Sequence, residues 1–227
     1  MSTVKWRHSL RCCRHDLAVP NRFRDKTVIA LAAQQDRAIV ESVLDRNDER
    51  RRRLQKFISE HSLRVGDFRL SSGRRSPNLF QLRQTTMLPE GAALLGEVIF
   101  EYMYRHSIEC IGGLELGAVT LVSPVAVMSH IKGFPVDAFF DRKAAKEHGA
   151  RERIDGHLRD GAEVLMIDDV ATAGSSFLKA VEGTEGHGSY VRRALVVVDR
   201  EEGAAQNLAR ASIHLAAIFK RSDFPEI

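Results

Sequence analysis

The sequence predicts an α/β protein with a mostly parallel central sheet flanked by helices, fronted by a small N-terminal hood of helix and short strands. Three observations carry this expectation. From residue 89 onward, apolar segments with strand and helix periodicity alternate along the chain. Val164-Leu-Met-Ile167 is a short unbroken apolar run, as suits a strand buried on both faces of a parallel sheet. At 227 residues the chain is long enough for one sizeable domain of this kind plus an extension.

Residues 1–25 show no clear periodicity, whereas Val28, Ile29, Ala32, Ala33, Ile39, Val40, Val43 and Leu44 suggest an amphipathic helix over 27–44. Arg50 to Arg53 opens, or lies within, a second helix with Leu54, Phe57 and Ile58 on one face, and the basic run reads as its solvated side. Phe68 to Arg74 and Pro77 to Arg83 read as two short strands joined by a turn at Gly73 to Pro77. Helices are then expected at 89–106 and 118–131, with strands at 109–113 and 135–140. The strand at 163–167 leads to a helix at 175–183, a strand at 191–198, a helix at 203–210 and a last strand at 213–219. This divides the chain into a basic N-terminal extension, 1–50, partly helical or disordered, and a domain, 51–227.

Composition excludes several classes. No apolar run approaches the roughly 20 residues that span a bilayer, and the Arg-scattered N-terminus lacks the apolar core of a secretory signal. Three cysteines, Cys12, Cys13 and Cys110, form neither a disulfide framework nor a zinc spacing, so a reducing cytoplasm is expected. The net charge of +4 is unevenly placed: residues 1–53 carry +6 and residues 54–227 carry −2. The domain itself is therefore slightly acidic, and no nucleic-acid partner is expected.

The chemistry centres on residues 164–176. Asp168 and Asp169 follow the apolar strand at its C-terminal end, where ligands bind in open α/β sheets. A loop of small residues, Thr172, Ala173 and Gly174, then runs into a helix beginning near Ser175 and Ser176. Its N–H groups and positive helix end would hold a phosphate, with the hydroxyls as added donors. Carboxylates beside an anion site suit a ligand that also presents a diol, since each can accept from neighbouring hydroxyls. A ribose 5-phosphate meets both demands. The alternative is a plain strand–turn–helix with a solvated Asp pair. No Lys follows Gly174, so the nucleoside-triphosphate P-loop pattern is absent, as is a Gly-x-Gly-x-x-Gly fingerprint.

A second cluster is Arg142-Lys-Ala-Ala-Lys-Glu-His-Gly149, which packs Arg142, Lys143, Lys146 and His148 into seven residues. It is either a solvated basic loop or a cluster that closes over an arriving anion.

Residues 164–176 closely resemble the phosphoribosyl-diphosphate motif of type I phosphoribosyltransferases, and 142–149 resembles the catalytic loop of orotate phosphoribosyltransferases. Phe68-x-Leu-x-Ser-Gly-Arg74 with Ser76-Pro77, Ile111 to Ala118, and Asp199 to Ala204 resemble three more segments of that family, in its order, over about 54–227. Ser71 stands where many members carry Lys and Gly117 where some do, as in a subtype of the family. The resemblance implies the type I phosphoribosyltransferase fold and Mg²⁺-assisted transfer of the 5-phosphoribosyl group to orotate. It places Asp168 and Asp169 on the ribose hydroxyls and Thr172 to Ser176 on the 5'-phosphate. Arg142, Lys143, Lys146 and His148 would meet diphosphate, with Lys146 facing its developing charge. Arg200, Ser72, Gly73 and Phe80 would bind substrate, with Arg200 on orotate. The metal is expected on diphosphate, ribose and water, with no direct protein ligand assigned. The resemblance further implies a homodimer whose loop acts in trans. Alternatives are transfer to another nucleobase, or a non-catalytic regulator on the same fold that senses phosphoribosyl diphosphate.

Overall fold

The computed structural model describes residues 39–69, 73, 75–142 and 153–225. They fall in the larger of two units, Arg37–Ile227; the smaller, Met1–Asp36, lies outside the described residues. Its elements are β1 (Glu41–Ser42), α1 (Glu49–Phe57, continued as a π turn to Ser62), β2 (Leu63–Arg69), β3 (Arg75–Phe80), α2 (Arg83–Thr86) and α3 (Pro89–Arg105). Then come β4 (Cys110–Gly112), α4 (Val119–Ile131), β5 (Asp137–Asp141), β6 (Ile154–Gly156) and β7 (Glu163–Ala171). The chain ends with α5 (Ser175–Glu185), β8 (Tyr190–Asp199), α6 (Ala204–Arg210) and β9 (His214–Lys220).

Seven strands form one sheet in the order β1-β9-β8-β7-β4-β5-β6. All its neighbours are parallel except β5 and β6, and β2 with β3 makes a separate antiparallel hairpin. The expected α/β class with a mostly parallel sheet is what the protein has. Strand alternation splits the core into two layers. Leu165, Ile167, Leu195 and Val197 join the layer beneath α3 and α4, whereas Val164, Met166, Ala194 and Val196 join the layer beneath α5 and α6. Both faces of the sheet are thus covered, which is why these strands read as continuous apolar runs.

Three expectations change. Residues 41–44 are not helical: Glu41 and Ser42 pair in parallel with Ala216 and Ala217, and Val43 and Leu44 are buried at 3% and 6% exposure. Apolar spacing there also fits a helix, but the open edge of β9 offers hydrogen bonds that win. The folded unit therefore starts ahead of residue 51, inside the stretch read as extension. Second, the basic run of α1 is not simply a solvated face. Asp48 caps the helix by accepting from the Arg50 N–H at 2.8 Å, and Arg50 also pairs with Asp48 and Glu101. Arg51 is buried, pairs with Asp223 and stacks 4.9 Å over Phe219, and Arg53 pairs with Glu90. Third, β7 continues to Ala171, so both aspartates lie within the strand instead of just beyond it.

Candidate active site

The β7–α5 junction forms the floor of the site. The Asp168 carboxylate accepts from the Asp169 N–H and the Asp169 carboxylate from the Val170 N–H, each at 2.9 Å, which fixes both in half-buried positions. The chain then turns through Thr172 and Ala173 to Gly174, whose φ of 79° is the left-handed conformation that favours glycine. Gly174 stands at the N-cap of α5 and brings no capping side chain, so the first amides of the helix are not capped from that position. The loop is pinned from α6, where Asn207 donates to the Ala173 carbonyl at 2.8 Å. Ser175 is exposed and Ser176 half-buried, and both border a cavity of about 330 Å³ lined also by Leu114, Arg153 and Lys179. Lys179 and two hydroxyls around a helix N-terminus, with the Asp141-paired Arg153 beside them, make this an anion-favouring space.

Gly117 closes the floor from the β4–α4 loop. A Cβ there would lie 2.2 Å from Asp168 Oδ1 and 2.7 Å from Asp169 Oδ1. The position that the sequence comparison marked as a missing lysine is thus one where any side chain would strike the carboxylates.

Arg200 follows β8, and its N–H donates to the Ala171 carbonyl at 2.9 Å, which sets it beside the β7 loop. Its guanidinium is 4% exposed and is held by Glu202 and by Ser76 Oγ, both at 2.8 Å, with the Asn78 carbonyl at 3.5 Å. These contacts tie the β2–β3 hairpin to the sheet. Burial pushes the neighbouring Asp199 carboxyl above its usual range, opposed by the Glu201 N–H that donates to it at 3.0 Å. Gly73 is exposed with φ of 82° in the hairpin turn, and Phe80 is buried edge-on against Phe224 with centroids 5.2 Å apart. Phe80 therefore stands in the core layer, where it packs against protein.

The basic segment leaves the sheet at Arg142. Arg142 is ion-paired with Asp155, and its N–H donates to the Arg153 carbonyl at 2.9 Å. Lys143, Lys146 and His148 lie outside the described residues, as does Ser72. Sequence reading missed Asp141 and Arg153, which brace the root of this segment. Asp141 is fully buried and receives Arg153 in a two-point contact at 3.0 and 2.7 Å. A Cβ on Gly183 would lie 2.7 Å from Asp141, so α5 passes directly over the pair. Neither residue carries a motif, but Asp141 ends an apolar strand, as Asp168 nearly does. Among the described residues no group of three His, Cys, Asp or Glu side chains is placed to hold a metal, and no helix is long and apolar enough to cross a membrane.

No family model matches the chain. An orotate phosphoribosyltransferase of Bradyrhizobium sp. strain ORS 278 is 44% identical over 178 residues, which cover 77% of this chain and 96% of that relative. The orotate phosphoribosyltransferase of Mycobacterium tuberculosis H37Rv, in a crystal structure with Fe(III) dicitrate, superposes with a TM-score of 0.69 at 32% identity, covering 78% of this chain and 99% of its own. In complex with 5-phospho-alpha-D-ribosyl 1-diphosphate the same protein gives a TM-score of 0.65 at 30% identity, covering 77% and 98%.

Proposed function

This chain belongs to the orotate phosphoribosyltransferase family, and from that premise we infer the reaction and the division of labour within its site. The enzyme is a pentosyl transferase of pyrimidine biosynthesis. It transfers the 5-phosphoribosyl group from phosphoribosyl diphosphate to orotate, giving orotidine 5'-phosphate and diphosphate. The observation that carries this reading is the Asp168–Asp169 pair set directly before a glycine-turned helix N-terminus, which matches a ribose diol and a phosphate on one ligand.

As the bond from C1' to diphosphate breaks, C1' gains oxocarbenium-like positive charge, orotate N1 attacks it, and the N1 proton leaves with the departing diphosphate. The protein's work is positioning, and stabilising charge on the leaving group. Asp168 and Asp169 accept from the ribose hydroxyls. The Thr172 to Ser176 amides and hydroxyls take the 5'-phosphate. Arg142, Lys143, Lys146 and His148 receive diphosphate, with Lys146 nearest the developing charge; Arg142 exchanges its Asp155 partner for the anion. Arg200 orients orotate, and Ser72 and Gly73 frame the base from the hairpin; Phe80, expected to join them, is held in the core against Phe224 instead. The half-buried carboxylates are hard oxygen donors that suit Mg²⁺, but no protein cage of three ligands stands among the described residues. Diphosphate, ribose and water would therefore supply most of its coordination. When bound, the ion neutralises charge on diphosphate.

A homodimer sharing the basic segment in trans fits an exposed apolar patch. Val127, Ile131, Tyr104 and Phe134 are each more than half exposed, and the last two rings meet at 4.6 Å. A cytoplasmic location completes the reading. The test is spectroscopic: orotate consumption with phosphoribosyl diphosphate and Mg²⁺, beside uracil, adenine and hypoxanthine. Turnover of orotate above all three supports the assignment, and turnover of another base in its place overturns it.

A further inference from the structure

Asn78 lies in the middle of β3 and is fully buried, yet neither its amide nitrogen nor its amide oxygen has a hydrogen-bond partner. Buried polar atoms are nearly always satisfied, because one sealed from water keeps its desolvation cost without compensation. A leucine, similar in branching, would occupy such a position with no hydrogen bond left unmade. Strand alternation puts Asn78 on the same inward face as Ser76 and Phe80. Its N–H donates to Ser76 Oγ at 3.3 Å, and its carbonyl accepts from Arg200 Nη1 at 3.5 Å. The same guanidinium donates to Ser76 Oγ at 2.8 Å. The unpartnered amide therefore adjoins the arginine assigned above to the base.

We propose that Asn78 determines acceptor specificity by pairing its carboxamide with the imide edge of the pyrimidine. This rests on the reading that orotate is the acceptor. Orotate carries a ring N–H between two carbonyls on the side opposite its carboxylate. A carboxamide presents the complementary acceptor and donor side by side. With Arg200 on the carboxylate and Asn78 on the imide edge, the ring is gripped at both ends and N1 is left free to meet C1'. Arg200 is itself only 4% exposed, so both groups are shielded from solvent in this state. The base reaches them together, as the β2–β3 hairpin parts from β8 at the Ser76–Arg200 contact.

The test compares the full-length wild type with Asn78→Leu in three measurements: melting temperature, KM for each substrate, and preference for orotate over 3-methylorotate, in which the imide N–H is blocked. Asn78→Leu is expected to melt no lower than wild type, because an apolar group replaces an unsatisfied amide. Its KM for orotate should rise about tenfold or more while that for phosphoribosyl diphosphate holds. Its preference for orotate over the methylated base should collapse. Asn78→Ala, which adds no volume, supplies the same comparison should the leucine variant fail to fold. Unchanged base discrimination, with or without a lower melting temperature, makes Asn78 a structural residue and overturns the proposal. A wild type that consumes no orotate removes the functional reading itself, a result visible before any variant is measured.

Discussion

The two halves of the site are built in opposite ways. At the half proposed to hold the donor the backbone does the shaping: successive N–H groups hold Asp168 and Asp169, a left-handed glycine aims the helix, and a cavity of about 330 Å³ opens beside Ser175 and Ser176. At the half proposed to take the acceptor, side chains close on one another. Arg200 is committed to Glu202 and Ser76, Phe80 lies in the core, and Asn78 is sealed. On that proposal a phosphate enters the first half with little rearrangement, whereas a base must break contacts to enter the second. The donor half is preorganised; the acceptor half yields to a ligand only by that ligand's differential affinity for the opened form.

Substitutions on either side can break this contrast. The largest effect is expected from Asp168→Asn with Asp169→Asn. Each lost charge-assisted hydrogen bond is worth about 1.5–3 kcal/mol, so donor affinity should fall by two orders of magnitude or more with the fold intact. Unchanged affinity in titration calorimetry would remove the ribose assignment. Gly117→Ala comes next, since its Cβ would sit 2.2 Å from Asp168 Oδ1. Overpacking of about 1–3 kcal/mol should be felt as weaker donor binding, with base selectivity unaltered. If the variant binds donor as well as wild type, the donor half is softer than its hydrogen bonds suggest.

On the acceptor side, Ser76→Ala removes the hydroxyl that receives Arg200, at a cost of about 1 kcal/mol. Amide exchange across β2 and β3 should quicken while KM for phosphoribosyl diphosphate holds. Equal protection before and after would mean that the hairpin is held elsewhere. The smallest effect concerns pH. Burial raises the Asp199 carboxyl, so the folded protein keeps this proton to a higher pH than the unfolded chain does. Stability from this group therefore falls as pH climbs from the ordinary carboxylate range through the raised value, and is flat above it. Asp199→Asn retains an acceptor for the Glu201 N–H and should erase that slope in thermal melts at stepped pH. A slope that persists would assign it to another group.

Long periodic segments were legible in the sequence. The helix expected at 89–106 runs from Pro89 to Arg105, and the strand expected at 191–198 runs from Tyr190 to Asp199, because burial of one stripe or both faces imprints the period. The placement of the Asp pair and the small-residue loop between a strand and a helix start was legible because an unbroken apolar run precedes them and a glycine turn follows. What escaped was made by partners distant in sequence. β6 is three residues long and exists by pairing with β5. Arg142 looked like a free cation and is ion-paired with Asp155, thirteen residues away. Arg200 looked like a residue open to substrate, and its burial depends on Ser76, 124 residues earlier. No local pattern encodes such closures.

One further consequence follows from β1. Leu215 to Phe219 of β9 are all nearly inaccessible, and β1 pairs with this strand at Ala216 and Ala217, along the side away from β8. An apolar strand with unpaired amides along one side is a template on which another chain can polymerise. Two residues, with Val43 adding an N–H to the Ala217 carbonyl at 3.1 Å, occupy that template from within the same molecule. The short strand thus acts as a gatekeeper of colloidal behaviour: it adds little to the sheet's area and much to the chain's resistance to edge-to-edge aggregation.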